Sequence, residues 1–162
     1  MRERTEVEVS FELNGTPRHL RVDAHRTLLS VLRDHLGVLD VKEGCSEGVC
    51  GACTVLLDDR PVSSCLVLIP RIHGRRVTTL TGLAVEGKPH PLQEAFVRFG
   101  AVQCGFCTPG MILTACAYVR AHSGVTREAL RRALAGNLCR CTGYVKILDA
   151  VEAYARSVRD GG

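Results

Sequence analysis

The sequence predicts an α+β protein in which a small mixed β-sheet unit is followed by a four-helix bundle. In the first half, residues 7–13 alternate apolar and polar side chains, and the Asn14-Gly15 pair that follows is a strong hairpin signal. In the second half, apolar residues recur at helical spacing instead. Residues 82–91 are rich in glycine and proline and separate the two patterns. We therefore expect two domains, residues 1–82 and residues 83–162.

Short-range patterns predict the elements of the first half. Residues 18–22 form the return strand of the hairpin, and Thr27 caps a helix that Gly37 ends. Residues 54–57 and 62–65 are expected as strands on either side of a turn, and residues 76–79 as a further short strand. A helix among these strands makes a small α+β unit with a mixed sheet.

Four helices are expected in the second half, which suggests a small bundle. The first has its apolar residues at positions i, i+3, i+4 and i+7, from Leu92 to Phe99. The second begins with Thr108 as N-cap and Pro109 at the first helical position, and the third begins after Thr126. The last helix carries one apolar stripe, made of Tyr144, Leu148, Val151 and Ala155.

The nine cysteines are the most informative part of the composition. The first residues lack the apolar stretch of a signal peptide, and no apolar run is long enough to span a membrane. We therefore expect a cytoplasmic protein whose cysteines bind metal instead of forming disulfides. The sequence contains no tryptophan and only 4% aromatic residues, which disfavours the stacking of nucleic-acid bases. It also offers no nucleophile–base pair, paired carboxylates or phosphate loop, so no catalytic residue is assigned.

The first cysteine set lies mainly in one glycine-containing loop. Its order is C-x4-C-x2-C followed by a fourth cysteine after eleven intervening residues, which is the order of a plant-type [2Fe–2S] site. Gly44, Gly48 and Gly51 are expected to adopt positive φ and to let backbone N–H groups approach the sulfurs. A structural zinc site is the alternative, but it more often consists of two C-x2-C pairs. The four residues of this set are Cys45, Cys50, Cys53 and Cys65.

The second cysteine set consists of a C-x2-C pair and a C-x-C pair, each in a turn just before a predicted helix. Two helix N-termini would then face one site, where their positive dipole ends stabilise a negatively charged cluster. Taken alone, this spacing leaves a four-cysteine zinc site open. The set comprises Cys104, Cys107, Cys139 and Cys141, whereas Cys116 is expected to be a buried core thiol.

Three long motifs carry a resemblance that extends over the whole chain. In residues 44–55, 103–111 and 136–144 the sequence resembles the small iron–sulfur subunit of the molybdenum hydroxylases, the xanthine oxidase family. The resemblance implies a plant-ferredoxin-like (β-grasp) domain followed by a four-helix bundle, each holding one [2Fe–2S] cluster. Ser46 and Val49 depart from the family pattern because glycine is frequent at both positions.

The function implied by this resemblance is electron transfer in a heteromeric oxidoreductase. The expected partners are a large subunit carrying molybdenum–molybdopterin and a medium subunit carrying FAD, with a dimer of heterotrimers as one assembly. Gln103 and Cys139 would lie near the molybdopterin. Electrons would pass from molybdenum to the bundle cluster, then to the ferredoxin-like cluster and then to FAD. Nucleic acid is not an expected partner, because two loaded clusters would cancel the formal charge of +4 at about −2 each.

Two other functions compete with this reading. A free-standing two-cluster ferredoxin would have a strongly acidic surface, and a zinc-stabilised interaction module would have no redox role. The first loop carries Lys42, Glu43 and Glu47 and is expected to be the more exposed, whereas the bundle loops suit burial. Arg140, between two cysteines, is expected to offset cluster charge or to face an interface.

Overall fold

The computed structural model describes residues 5–160. The expectation about the signal peptide depends partly on residues 1–4, which lie outside this range. No helix within the described range is both long and apolar enough to cross a membrane.

A five-stranded mixed sheet forms the first half, as predicted. Its order is β2-β1-β5-β3-β4, in which β1 and β5 are parallel and all other neighbours are antiparallel. The β1–β2 hairpin turns through Asn14 and Gly15, both at positive φ. The strands are β1 (Glu6–Leu13), β2 (Thr16–Asp23), β3 (Thr54–Leu57), β4 (Arg60–Ser63) and β5 (Arg76–Thr78).

One helix packs on this sheet. Helix α1 (Leu28–Ser30) continues as a wider π-helical turn (Val31–His35), and the side chain of Thr27 accepts a hydrogen bond from the Ser30 N–H. The predicted cap is therefore confirmed.

The strand predicted over residues 62–65 is shifted in the structure. Strand β4 begins at Arg60 and ends at Ser63, because Asp58 and Asp59 at positive φ make a turn of only two residues. Cys65 consequently lies in a short 3₁₀ turn (Ser64–Leu66), not in a strand. Two further 3₁₀ turns follow, at Ile69–Ile72 and Thr81–Leu83.

Four helices make up the second half: α2 (Pro91–Arg98), α3 (Thr108–Ala121), α4 (Arg127–Ala133) and α5 (Val145–Asp160). Thr126 caps α4 as predicted, since its hydroxyl accepts from the Ala129 N–H. The prediction for Thr108 was wrong by one residue. Cys107 occupies the N-cap position of α3 and makes no side-chain capping bond, which places Pro109 at the second helical position.

Two apolar cores meet at strand β3. Val55 and Leu57 belong to the core between the sheet and α1, whereas Leu56 points the other way and packs with the helical core. Because alternate residues of a strand face opposite sides, this strand is buried on both faces. The fold is α+β, and its two halves share one strand.

Candidate metal centres

The loop of the first cysteine set turns back on itself through three residues at positive φ. These are Ser46, Gly48 and Gly51. The expectation for Gly44 was wrong, because it has no positive φ. Gly44 instead leaves room for the Cys50 side chain, because a β-carbon on Gly44 would lie 2.9 Å from the Sγ of Cys50. Ser46 holds the strained conformation in which glycine is favoured, and its hydroxyl donates to the Glu43 carboxylate at 2.8 Å.

The β3–β4 hairpin brings the fourth cysteine to this loop. Cys53 precedes β3 directly, and the register that pairs Thr54 with Ser63 leaves Cys65 beside it. The Ser64 hydroxyl fixes this corner by donating to the Cys53 carbonyl at 2.7 Å. The Cys53 thiol lies near enough to raise the pKa of Cys65, and the Cys50 thiol lies near enough to lower that of Cys45. The first set thus consists of two close pairs.

The electrostatic environment differs across the first set. The N–H of Glu47 donates to the Sγ of Cys45 at 3.4 Å and, with the N–H of Cys50, lowers the pKa of Cys45 to about 7. Burial raises the pKa of Cys65 to about 11. Backbone N–H groups directed at a sulfur stabilise its thiolate form, which is the form that binds metal.

The second cysteine set comes from two turns that precede helices, as predicted. Cys104 and Cys107 precede α3, while Cys139 and Cys141 precede α5. The Sγ atoms of Cys104 and Cys141 lie 3.6 Å apart, and the Cys139 thiol lies near enough to Cys107 to raise its pKa. Each turn therefore contributes one thiol to each pair.

Burial and polar neighbours shift the thiol pKa values in the pair Cys107 and Cys139 in opposite directions. Burial raises the pKa of Cys107 to about 12. Burial also acts to raise the pKa of Cys139, but the hydroxyl and N–H of Thr142, 3.0 and 3.4 Å from its sulfur, lower it overall. The Tyr144 hydroxyl accepts from the Cys139 N–H at 2.8 Å and holds this turn in place.

Both sets have the donor chemistry and spacing that a dinuclear iron cluster needs. Metal–thiolate bonds of about 2.3 Å at a tetrahedral angle place two sulfurs about 3.8 Å apart, close to the distance between Cys104 and Cys141. Within residues 5–160, no group of three or more candidate ligands is gathered around one point for a single ion. The thiols are instead grouped two by two, as two irons in each cluster require.

In the chain without its partners, the cysteines of the two sets differ in exposure. Cys53 and Cys65 are only 2% and 7% exposed, whereas Cys104 and Cys141 lie at the surface. Glu43 and Glu47 are exposed as predicted, and Cys45 and Cys50 in the same loop are partly buried.

The other residues near the cysteine sets lie either in the core or at the surface. Cys116 is fully buried in the helical core, which confirms that prediction. Gln103 and Arg140 are both exposed beside cysteines of the second set. Sequence reasoning missed Asn137, a buried residue whose side chain joins the two cysteine regions. Its place between a helix end and a cysteine was the available signal.

Comparison with known proteins covers nearly the whole chain. The family described as a 2Fe-2S iron-sulfur cluster binding domain matches residues 11–75, and the [2Fe-2S] binding domain family matches residues 79–152. The chain is 48% identical over 145 residues to the nicotinate dehydrogenase small FeS subunit of Eubacterium barkeri, covering 90% of this chain and 92% of that protein. It is 44% identical over 147 residues to the xanthine dehydrogenase iron-sulfur-binding subunit of Escherichia coli O157:H7, with 90% and 92% covered.

Solved structures are similar over the same length. A chain of quinoline 2-oxidoreductase from Pseudomonas putida 86 superposes with a TM-score of 0.90 at 40% identity, covering 96% of this chain and 98% of that one. The aldehyde oxidoreductase of Desulfovibrio gigas also gives a TM-score of 0.90, at 38% identity, and this chain matches 18% of its length.

Proposed function

The chain belongs to the small iron–sulfur subunits of the xanthine oxidase family, and we propose from this that it carries electrons through two [2Fe–2S] clusters between a molybdopterin centre and FAD on partner subunits. It is an oxidoreductase subunit, and the bond chemistry on the substrate occurs at its partners' cofactors. The observation that carries the proposal is the grouping of eight thiols into two sets of two close pairs.

Each cluster would be held by one cysteine set. The first would be ligated by Cys45, Cys50, Cys53 and Cys65, and the second by Cys104, Cys107, Cys139 and Cys141. Such a cluster supplies one-electron transfer at each site when bound. The chain's own contribution is to hold thiolates in pairs, to direct N–H groups at their sulfurs and to cover the first set.

The proposed domain division follows the two sets. Residues 1–82 would be the plant-ferredoxin-like (β-grasp) domain, and residues 83–162 a four-helix bundle formed by α2 to α5. The division of the apolar residues into two cores supports this assignment. The exception is Leu56, which packs across the division.

The surface around the second set supports a partner that covers it. Phe106 and Leu138 are 45% and 55% exposed and lie in the same turns as the exposed Cys104 and Cys141. An exposed apolar patch around metal-binding thiols is typical of an interface. We propose that the large molybdopterin-binding subunit lies here, with Gln103 and Cys139 nearest the molybdopterin. The medium FAD-binding subunit would lie on the side of the first set, in a dimer of heterotrimers.

This arrangement gives the electron path a direction in an enzyme that oxidises its substrate. Electrons would enter at the second set, cross to the first and leave to FAD. A Cys50→Ser variant that still assembles should therefore let the substrate reduce the second cluster but not the flavin. Flavin reduction in this variant can be measured by rapid-mixing spectroscopy. If the substrate reduced the flavin at the normal rate although the first cluster is missing, this order would be wrong.

Metal analysis tests the function itself. The purified complex should contain about four irons and four sulfides per chain from these two sites. The dithionite-reduced complex should give two distinct S = ½ EPR signals. About two irons, with zinc making up the balance, would contradict the second site.

A further inference from the structure

The loops of the two cysteine sets touch through one backbone hydrogen bond. The N–H of Leu138 donates to the carbonyl oxygen of Cys50 at 2.8 Å. Cys50 belongs to the first set, and Leu138 is followed directly by Cys139 of the second. A line of atoms from the Sγ of Cys139 to the Sγ of Cys50 therefore crosses this single hydrogen bond and otherwise follows covalent bonds.

A buried side chain stands beside this bond. Asn137 is only 4% exposed, and its amide donates to the carbonyl of Gly51 at 3.0 Å and to the Thr54 hydroxyl at 3.3 Å. The Thr54 hydroxyl donates to the same Gly51 carbonyl at 2.7 Å. A buried amide without partners is costly, so these bonds hold the residue before Leu138 against the residue after Cys50.

Glycines allow the two backbones to approach this closely. A β-carbon on Gly51 would overlap the carbonyl oxygen of Gly136, and one on Gly110 would overlap the carbonyl oxygen of Gly51. At both points the nearest atom is a backbone carbonyl oxygen, and the Asn137 amide lies beside it. The spacing between the two sets is therefore determined by direct backbone packing.

We propose that Asn137 is a positioning residue that holds the Leu138–Cys50 hydrogen bond, and that this bond is the route by which electrons cross between the two cysteine sets. The inference rests on the proposed function. Tunnelling decays less steeply along bonded atoms than across a gap, so a line interrupted by one short hydrogen bond is favoured. The step moves one electron: one site is oxidised by one electron and the other reduced by one, with no bond broken and no proton transferred.

A buried polar residue that does not touch the first loop provides a control. His90 lies in the helical half, and its Nδ1 accepts from the Leu92 N–H at 3.2 Å. If general loosening of the helical half were enough to slow the transfer, changes at His90 and at Asn137 would have the same effect. His90→Asn alters a buried polar side chain away from the contact, and Asn137→Leu removes the amide donors, while both leave the eight cysteines in place.

The experiment injects one electron into the purified complex by flash photoreduction of a deazaflavin dye. Equilibration between the two clusters is then followed by freeze-quench EPR. Asn137→Leu should slow this step by about tenfold to a hundredfold, because the Leu138 N–H is then free to turn away from the Cys50 carbonyl, and misplacement on the order of 1 Å has effects of that size on positioned reaction steps. His90→Asn should leave the rate near that of the wild type. An unchanged rate in Asn137→Leu would overturn the proposal.

Two further readouts separate positioning of the bond from general disruption. The midpoint potentials of both clusters and the dipolar splitting of their EPR signals should not change in Asn137→Leu, because neither the ligands nor the distance between clusters is altered. A changed splitting would overturn the proposal, because Asn137 would then set the distance between the sites instead of the bond.

A second variant keeps the test open if Asn137→Leu fails to assemble. Replacing Leu138 by its α-hydroxy acid analogue removes the donated N–H and keeps the side chain. The rate should fall as in Asn137→Leu, and a normal rate would overturn the proposal. Absence of both EPR signals from the wild-type complex would contradict the proposed function itself, so the two failures are distinguishable.

Discussion

The two cysteine sets are built by different means. The first is one loop closed by the β3–β4 hairpin, and the chain itself covers Cys53 and Cys65. The second joins two turns that are distant in sequence, each followed by a helix, and it leaves Cys104 and Cys141 at the surface. A local loop can enclose its own ligands, whereas two helix ends that meet at an edge leave one side open. The open side is where a partner's cofactor can approach.

The two regions are not independent of each other. They share strand β3, and their loops are joined by the bonds of Asn137. Substitutions at these contacts should affect both regions, whereas substitutions elsewhere should affect one.

The largest effect is expected at the glycine contact between the loops. Gly51→Ala should destabilise the folded chain by about 3–5 kcal/mol, because the new β-carbon overlaps backbone at a positive φ of 68°. The expected result is a complex with little bound iron and a much lower unfolding midpoint. Gly143→Ala is the matched control, since it has a φ of 64° and no atom within 4 Å, and should cost about 1–2 kcal/mol. Equal losses of stability in Gly51→Ala and Gly143→Ala would show that the two loops are not tightly packed.

Strand β3 provides the next test, because adjacent residues serve different cores. Leu56→Ala and Leu57→Ala should each cost about 2–5 kcal/mol. Leu56→Ala should speed amide hydrogen exchange mainly in α3, and Leu57→Ala mainly in β1 and α1. The same exchange pattern in both variants would mean that the two cores unfold as one.

Much of this architecture could be predicted from the sequence because its signals are local. The hairpin at Asn14-Gly15, the cap at Thr27 and the cysteine spacings each depend on a few neighbouring residues. The position of β4 was misjudged because Asp58 and Asp59 adopt positive φ, which non-glycine residues seldom do.

The features that could not be predicted depend on contacts between distant residues. Asn137 bonds to Gly51, 86 positions earlier in the chain, and no local pattern indicates this partner. The exposure of Cys104 and the burial of Cys65 likewise depend on which elements pack over each loop. The continuous apolar run of β3 was a usable signal of burial on both faces, since a half-buried strand would alternate.

The difference in exposure predicts unequal stability of the two clusters without partners. In the chain expressed alone, an iron chelator should remove the second cluster about tenfold faster than the first, equivalent to about 1.4 kcal/mol in the barrier. The loss can be followed by the two EPR signals after reduction with dithionite. In the complete complex the difference should shrink, because the partner covers Cys104 and Cys141. Faster loss of the first cluster would contradict the comparison.

The smallest effect concerns acid stability, and it should arise from the helical half. His90 is the buried histidine of the described chain and caps α2, with its Nδ1 accepting from the Leu92 N–H at 3.2 Å. Burial, and secondarily the charge of Arg120, lowers the pKa of His90 below its ordinary value of 6.5. As pH falls through about 6.5, the unfolded chain takes up a proton that the folded chain resists, so stability decreases with acidification. Protonation would also convert Nδ1 from an acceptor into a donor and remove the cap.

His90→Asn separates the cap from the titration, because asparagine is a good N-cap that does not ionise. At pH 7.5 the variant should differ from the wild type by about 1 kcal/mol, the usual size of a capping change. Between pH 6.5 and 5.5 its unfolding midpoint should fall less than that of the wild type. His122→Asn, at the exposed end of α3, is the control, and its unfolding midpoint should fall with pH as much as that of the wild type. If the unfolding midpoint of His90→Asn also fell as much as that of the wild type, the acid sensitivity would originate outside the helical core. The two halves would then not differ in acid stability.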